Sequence, residues 1–406
     1  MAELEFRDLS FSEMEDFVRV HFLKIFYFDL KREELENIAS SKISKHKIIF
    51  ECSEKRANTK FYNLLLKGFQ NLKNSINNRK AVYIHRNSGI PLIGSNVFGI
   101  VDRNTSCIEV KPITGCNLNC MFCSVDEGAA GKKETDFVIE EEYLADEFRK
   151  IAEFKGQDID IEAHLNAHGE PLLYSRIIDL VRDIAQIKNV KTISIDTNGT
   201  MLSEELCNNL VKAGLTRFNI SISAISPEKA RQLGNCKYDS GRVLEMAEYA
   251  SKIADVIITP VWVPGFNDDE IPKIIDFANR IRNRQQKTPY LGIQNFLNYP
   301  HGRNPVKGIP MNDFKSKLSQ MEKKYKVKLL LTKEDFGIAA TKKLPKPFKK
   351  RDVISAEIKC GGRLKNEKIA AAQDRNITML NCKKESGRTR IKIIRSKHNI
   401  FLAKEV

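Results

Sequence analysis

Apolar positions along this chain fall into two rhythms. Within residues 1–95, "FSEMEDFVRVHFLKIFYF" and "FYNLLLKGFQNLKNSI" repeat them at spacings of three and four, which predicts amphipathic helices. This first stretch therefore reads as a mainly helical region. "SGIPLIGSNVFGIVD" is rich in Gly and small residues and marks the passage into the next unit. From "SCIEVKPIT" onward, short runs of strand character alternate with helical stretches: "DIDIEAHLNAHGEP" then "LLYSRIIDLVRDIAQI", "VKTISIDTNGT" then "SEELCNNLVKAG", "TRFNISISA" then "GRVLEMAEYASKIA", "DVIITPVWVPGFND" then "DEIPKIIDFANRIRN", and finally "YLGIQNFLNYPHG".

That order predicts parallel βα units. About six are counted, short of the eight of a closed barrel. The expected fold class is α/β, a partial (β/α)6 TIM-like barrel over residues 96–335. Residues 336–352 read as a linker because "TKKLPKPFKKRD" is rich in Pro and Lys. Residues 353–406 carry short β-like runs, "NITML", "TRIKIIR" and "NIFLA", between Gly and charged turns, and predict a small β-barrel.

Composition narrows the class. Of 406 residues, 42% are hydrophobic and 29% charged, the balance of an ordinary globular protein. No apolar run is long enough for a bilayer, and the acidic, amphipathic start "MAELEFRDLSFSEMEDF" is unlike a secretory signal. A cytoplasmic, reducing setting is expected, where cysteines serve as ligands or catalysts rather than disulfides. Charge is uneven. Residues 101–340 hold 32 Lys and Arg against 34 Asp and Glu, whereas residues 341–406 hold 19 against 6. A basic end on a neutral body fits a polyanionic partner such as nucleic acid, and equally a solvated surface that aids solubility.

Of the 9 Cys, three fall within eight positions in "GCNLNCMFCSVDEG": Cys116, Cys120 and Cys123. Cys52, Cys107, Cys207, Cys236, Cys360 and Cys382 are scattered singly and read as small buried groups. A zinc ribbon needs four ligands in two pairs, and the next His after the loop, His164, lies forty-one residues past Cys123. An iron–sulfur cube is held by thiolates, commonly four. Three would leave one iron open for a small molecule. An open cube, a zinc site and structural thiols are the readings these residues allow.

Further along, period two in "DIDIEAHLNAH" sets Asp160, Glu162, His164, Asn166 and His168 on one face and apolar residues on the other. Such a strand lines a wet cavity or is an edge strand with a solvent face. His164, Asn166 and His168 are the candidate substrate contacts.

The three cysteines, with Phe122 before the last, resemble the radical S-adenosylmethionine (SAM) superfamily, in its molybdenum-cofactor-synthesis-like branch. The likeness covers residues 108–303. "AHGEPLL" (167–173) resembles the GGEP segment, with His168 in place of its first Gly; "TNGTML" (197–202), "NISISA" (219–224), "VPGFNDDEI" (263–271) and "NYPHGR" (298–303) follow in the family's order. The resemblance implies a [4Fe-4S] cluster on Cys116, Cys120 and Cys123. It implies SAM contacts from Phe122, Gly169, Glu170, Asn198, Ser221 and Ser223. It also implies reductive cleavage of SAM to a 5′-deoxyadenosyl radical, with electrons from a donor such as ferredoxin or flavodoxin. Asn117 and Asn119 either donate to cluster sulfurs or cap the loop.

The C-terminal end resembles a TRAM-type barrel, a module of RNA-modifying enzymes. In "RTRIKIIRSKHNIF", Arg388, Arg390 and Lys392 share one phase of a strand and Lys397 follows in a turn. Cations in register suit phosphate contacts, which position RNA without reading its sequence, and Phe401 is expected in the core. Cys360, in "KCGGR", is either a mobile methyl carrier or, as most lone cysteines are, structural. Three functions stay open: an enzyme modifying a nucleoside in tRNA or rRNA, one acting on a peptide, cofactor or lipid, and a non-catalytic RNA-binding iron–sulfur protein.

Overall fold

The computed structural model describes residues 1–283 and 285–406. Its centre is a sheet of six strands in the order Asp255–Ile258, Arg217–Ile220, Val190–Thr197, Ile161–Leu165, Cys107–Lys111 and Gly99–Asp102. The first five are parallel, and only Gly99–Asp102 runs antiparallel. Past Ile258 the sheet continues through a parallel bridge to Leu291 and the pair Val261–Trp262 with Gln294–Asn295. Six parallel positions thus follow one another in chain order, the expected partial barrel. Between them the chain crosses over in the helices Glu141–Lys155, Ile177–Ala185, Glu204–Ala213, Ser240–Ala250 and Glu270–Ile281. Ile161, Ala163, Leu165, Ile193, Ile195, Phe218 and Ile220 are buried, facing the helices as the alternation of the strands requires.

The N-terminal region departs from the helical expectation. Strands Leu9–Glu13, Phe17–Phe22 and Phe26–Lys31 occupy "FSEMEDFVRVHFLKIFYF", and the residues before position 85 form two sheets around the helix Glu54–Phe69. Burial alternates along the strands: Val18, Val20 and Phe22, then Phe26, Phe28 and Leu30, point inward. Aromatic and β-branched residues favour a pleated, half-buried surface. The turn between these strands hides the hairpin, because Leu23 and Lys24 take the positive φ angles that Asn-Gly would normally announce. In "FYNLLLKGFQNLKNSI" the helix forms but stops at Phe69.

A strand from the middle of the chain, Thr135–Ile139, completes the N-terminal six-stranded sheet by pairing in parallel with Lys80–Ile84. The N-terminal unit is therefore built into the barrel rather than tethered to it.

At the other end a closed barrel forms from Val353–Gly361, Lys368–Ala372, Arg375–Met379, Gly387–Arg395 and Leu402–Glu405. Phe401 is fully buried in its core, edge-on to Phe348. Cys360 lies inside a strand opposite Ile369, and burial pushes its thiol up to about 12, the setting of a structural cysteine. The barrel is stitched to the body. Gly94 accepts from the Phe401 N–H at 2.8 Å and Ile93 from the Asn376 N–H at 2.9 Å. A Cβ on Gly94, whose φ is +143°, would stand 1.8 Å from the Asn376 carbonyl oxygen. The stretch 336–352 is held too: Ser106 donates to the Ala339 carbonyl and Lys155 to that of Lys342. Among the described residues no helix is long and apolar enough to cross a membrane.

Candidate active site

The cysteine loop leaves the first parallel strand through Thr114–Gly115, which pairs with His168–Gly169. This is why position 169 is glycine. Its φ is +139°, and a Cβ there would lie 1.8 Å from the Gly115 carbonyl oxygen, a conformation and an approach open only to glycine. The Glu170 N–H then donates to Gly115 at 2.9 Å, fixing the GEP turn against the start of the loop. Farther on, Asn119 and Met121 donate through their backbones to Gly234 and Leu233 at the end of the helix Pro227–Gly234. Arg303 clamps the far side, reaching the Cys120 carbonyl (3.0 Å), the Glu127 carbonyl (2.7 Å) and the Asp126 carboxylate (2.7 Å).

Loop, GEP turn and strand ends enclose a cavity of about 560 Å³. Cys116, Cys120, Cys123, Phe122, Gly169, Glu170, Asn198, Ser221 and Ser223 all line it. The thiols share this wall without closing on a single point: among the described residues no three His, Cys, Asp or Glu gather as a one-ion site. In a cube each thiolate takes its own iron, and three thiols on one cavity wall are the donor type a cluster needs. Backbone N–H groups of Leu118 and Glu127 already point at the sulfurs of Cys116 and Cys123, at 3.4 and 3.3 Å. Burial pushes the Cys116 thiol well above its usual range and that of Cys120 up to about 12, so the thiolate forms need metal charge beside them.

Asn117 ties the cysteine loop to the stretch 198–200, and Asn119 caps the loop. Asn117 bonds Thr200 and Asn198, and Asn119 accepts from the Ala130 N–H. Glu170 is 1% exposed. Its carboxylate accepts from the Leu172 N–H (3.0 Å), the Thr197 hydroxyl (2.8 Å) and the Asn198 N–H (2.7 Å). A carboxylate offers about four acceptor positions, which leaves one for an ammonium group. Burial pushes its pKa up to about 7, and a bound cation would pull it down. Ser223 accepts from the Val261 N–H, while the exposed Ser221 hydroxyl lies 3.4 Å from that of Thr259.

The candidate substrate residues stand apart from that cavity wall, on the inner face of the barrel. The strand Ile161–Leu165 is central, so its polar face looks into the lumen and not to bulk solvent. His164 meets Ser194 and Asp196, Asn166 meets Lys111, and burial with help from Lys111 drives His168 down to about 3, leaving it neutral. Arg388, Arg390 and Lys392 lie exposed along one strand of the C-terminal barrel, and Lys397 in the next turn.

Several residues of the site escaped sequence reading. Arg363 of the C-terminal barrel, 4% exposed, donates to Glu127 and Asp136; Arg79 from the N-terminal unit reaches the carbonyls of Gly128 and Gly131. Burial raises Glu127 to about 7 against the pull of Arg363. For Asp136 burial also acts upward, but Arg363 and the Asn77 and Asn74 amides outweigh it and hold the carboxyl low. Asp196 and Arg303 were missed as well. Asp126 and Glu127 sit in the quoted cysteine motif, Asp196 in "VKTISIDTNGT" and Arg303 at the end of "NYPHGR"; Arg79, Asp136 and Arg363 had no local signal.

Comparison with known proteins agrees with this geometry. Residues 110–278 match the radical SAM superfamily model. The uncharacterized protein MJ0103 of Methanocaldococcus jannaschii is 38% identical over 364 residues, 83% of each chain. The GTP 3′,8-cyclase of Aquifex aeolicus is 33% identical over 186 residues, which span 45% of this chain and about half (55%) of the cyclase. A solved structure of TYW1 with a lysine-pyruvate adduct overlaps 58% of this chain and 80% of its own at 19% identity and a TM-score of 0.39. With its loop of three thiols set against the GEP turn at the strand ends, the chain belongs to the radical SAM superfamily, an enzyme family that binds a [4Fe-4S] cluster and SAM and draws on a reductant.

Proposed function

We propose that this enzyme modifies a nucleoside within structured RNA and that the C-terminal barrel grips the RNA backbone. The observation that carries the reading is the row of Arg388, Arg390 and Lys392, exposed on one strand of a barrel fastened to the catalytic body. A cationic row in strand register suits successive phosphates. The name of the cyclase relatives supports a nucleoside: their substrate, GTP, is a nucleotide.

In this reading Cys116, Cys120 and Cys123 hold the cluster, and Glu170, Asn198, Ser221, Ser223, Phe122 and Gly169 receive SAM. When bound, cluster and SAM together supply a carbon-centred radical able to take a hydrogen atom. The chain's own part is placement and shielding. Glu170, locked by three donors, offers its last acceptor position to the amino group, and Ser221 offers an exposed hydroxyl held loosely by Thr259. Phe296, Phe314 and Tyr238 wall the cavity with apolar surface and keep water from a reactive intermediate. His164, Asn166 and His168, which share one phase of the stretch 160–168 outside the cavity wall, are the residues this reading gives to the substrate.

Mass spectrometry of total RNA nucleosides from cells with and without the gene tests this. One modified nucleoside should vanish with the gene and return with the wild-type copy. An unchanged nucleoside profile would count against RNA and favour a peptide, cofactor or lipid substrate.

A further inference from the structure

We infer that Asp196 anchors a substrate edge bearing two neighbouring N–H donors, as guanine presents through N1–H and its 2-amino group and as an amidine presents through its two nitrogens. This deepens the proposed function, and only the guanine source depends on it.

Asp196 lies opposite Asn219 in the sheet, and period two turns it, like Ser194, into the lumen. One carboxylate oxygen accepts from the Asn219 amide at 2.9 Å; the other faces His164 Nε2 at 3.2 Å. His164 is itself braced by Ser194 at 2.8 Å, Ser194 donates to Glu162 at 2.6 Å, and Glu162 is paired with Arg217. This chain of polar groups sets the orientation of Asp196. Yet 46% of its side chain is exposed, and it forms part of the cavity wall beside Thr197 and Asn198. A group held so firmly from behind and left open in front is placed for a ligand.

Charge narrows the ligand. Burial acts to raise Asp196, but His164, Asn219 and Lys111 outweigh it, so the carboxylate is ionised. Among the described residues no Lys or Arg lines the cavity, and of its carboxyl groups Glu127 is already paired with Arg363 while Asp196 is ionised and open. The cavity wall at Asp196 therefore disfavours phosphate and accepts donors. Each Asp196 oxygen carries one protein partner and keeps acceptor capacity toward the cavity. Two parallel N–H groups satisfy both oxygens at once. Guanine offers two such donors; hypoxanthine keeps N1–H alone, and adenine offers only its 6-amino group.

The test uses the full chain, anaerobically loaded with cluster and SAM, and calorimetric titration with guanosine, inosine, adenosine and benzamidine. Losing one hydrogen bond to a charged group weakens binding about tenfold or more, so guanosine should exceed inosine and adenosine by that factor. Asp196→Asn should level the three, and Asp196→Ser, checked by circular dichroism, should do the same. Binding of benzamidine that depends on Asp196, without nucleoside binding, would keep the donor-edge anchor and remove the guanine source. Equal affinity for guanosine and inosine, a guanosine preference surviving in both variants, or no binding of any of the four probes would overturn the inference.

Discussion

Arg363 reaches out of the C-terminal barrel and pairs with Glu127, four residues past the last cysteine of the cluster loop; the side chains are 5% and 2% exposed. The Glu127 N–H in turn points at the Cys123 sulfur. A residue of the C-terminal barrel thus helps to shape the cysteine loop. Arg363→Met should leave Glu127 and Asp136 buried with only Arg79 as a nearby counter-charge, a loss of about 3 kcal/mol. Denaturant unfolding reads that loss, and iron retention should fall with it. Arg363→Met combined with Glu127→Gln should recover part of the stability; no recovery would mean that the pair is not coupled.

Each of Cys116→Ala, Cys120→Ala and Cys123→Ala should abolish the brown absorbance of anaerobically reconstituted protein, with iron dropping from about four per chain toward none. Cys382→Ala, a change in the core of the C-terminal barrel, should leave iron content unaltered. Full iron in any of the first three would remove that thiol from the ligand set.

Gly169→Ala tests the stitch between loop and GEP turn. The added Cβ meets the Gly115 carbonyl oxygen at 1.8 Å and a φ of +139°, so the backbone must shift at a cost of about 1–3 kcal/mol or more. The expected result is reduced cluster occupancy and loss of the spectral change on adding SAM. Wild-type behaviour in both measurements would refute the role given to this glycine.

His168 makes stability depend on pH with a defined sign. Burial first, then Lys111, Arg363 and Lys133, lowers its pKa from 6.5 to about 3. Below 6.5 the unfolded chain takes up a proton that the folded chain refuses. Stability is therefore full above that pH and declines as pH falls toward 3, by at most about 1.4 kcal/mol per pH unit. Glu127 and Glu170, raised to about 7, act in the opposite sense over part of the window, so the informative quantity is the difference between wild type and His168→Gln. That difference should shrink as pH falls from 6.5; a constant difference would mean that His168 is protonated in the fold.

For the RNA grip, replacing Arg388, Arg390 and Lys392 by Gln should weaken RNA binding and reduce the slope of log affinity against log salt by about 2–3. The same change at Lys55, Lys60 and Lys67, exposed on the N-terminal helix, should leave both unaltered. Equal losses in the two variants would reduce the barrel's role to bulk charge.

Sequence alone determined what depends on near neighbours in the chain. Three thiols within eight positions, the glycine before Glu170 and the alternation of strand and helix announce themselves locally, because a loop's ligands and a strand's two faces are set by spacing. The N-terminal strands were missed for a local reason too: Leu23 and Lys24 form a tight turn without turn residues, and the apolar spacing around them also satisfied a helix. Only the tertiary structure decided which distant groups meet. Arg79, Glu127, Asp136 and Arg363 come from three separate stretches, and Asp196 gains its bracing from two neighbouring strands. Burial in common, not proximity along the chain, gives such charges their partners, and a one-dimensional pattern does not carry that information.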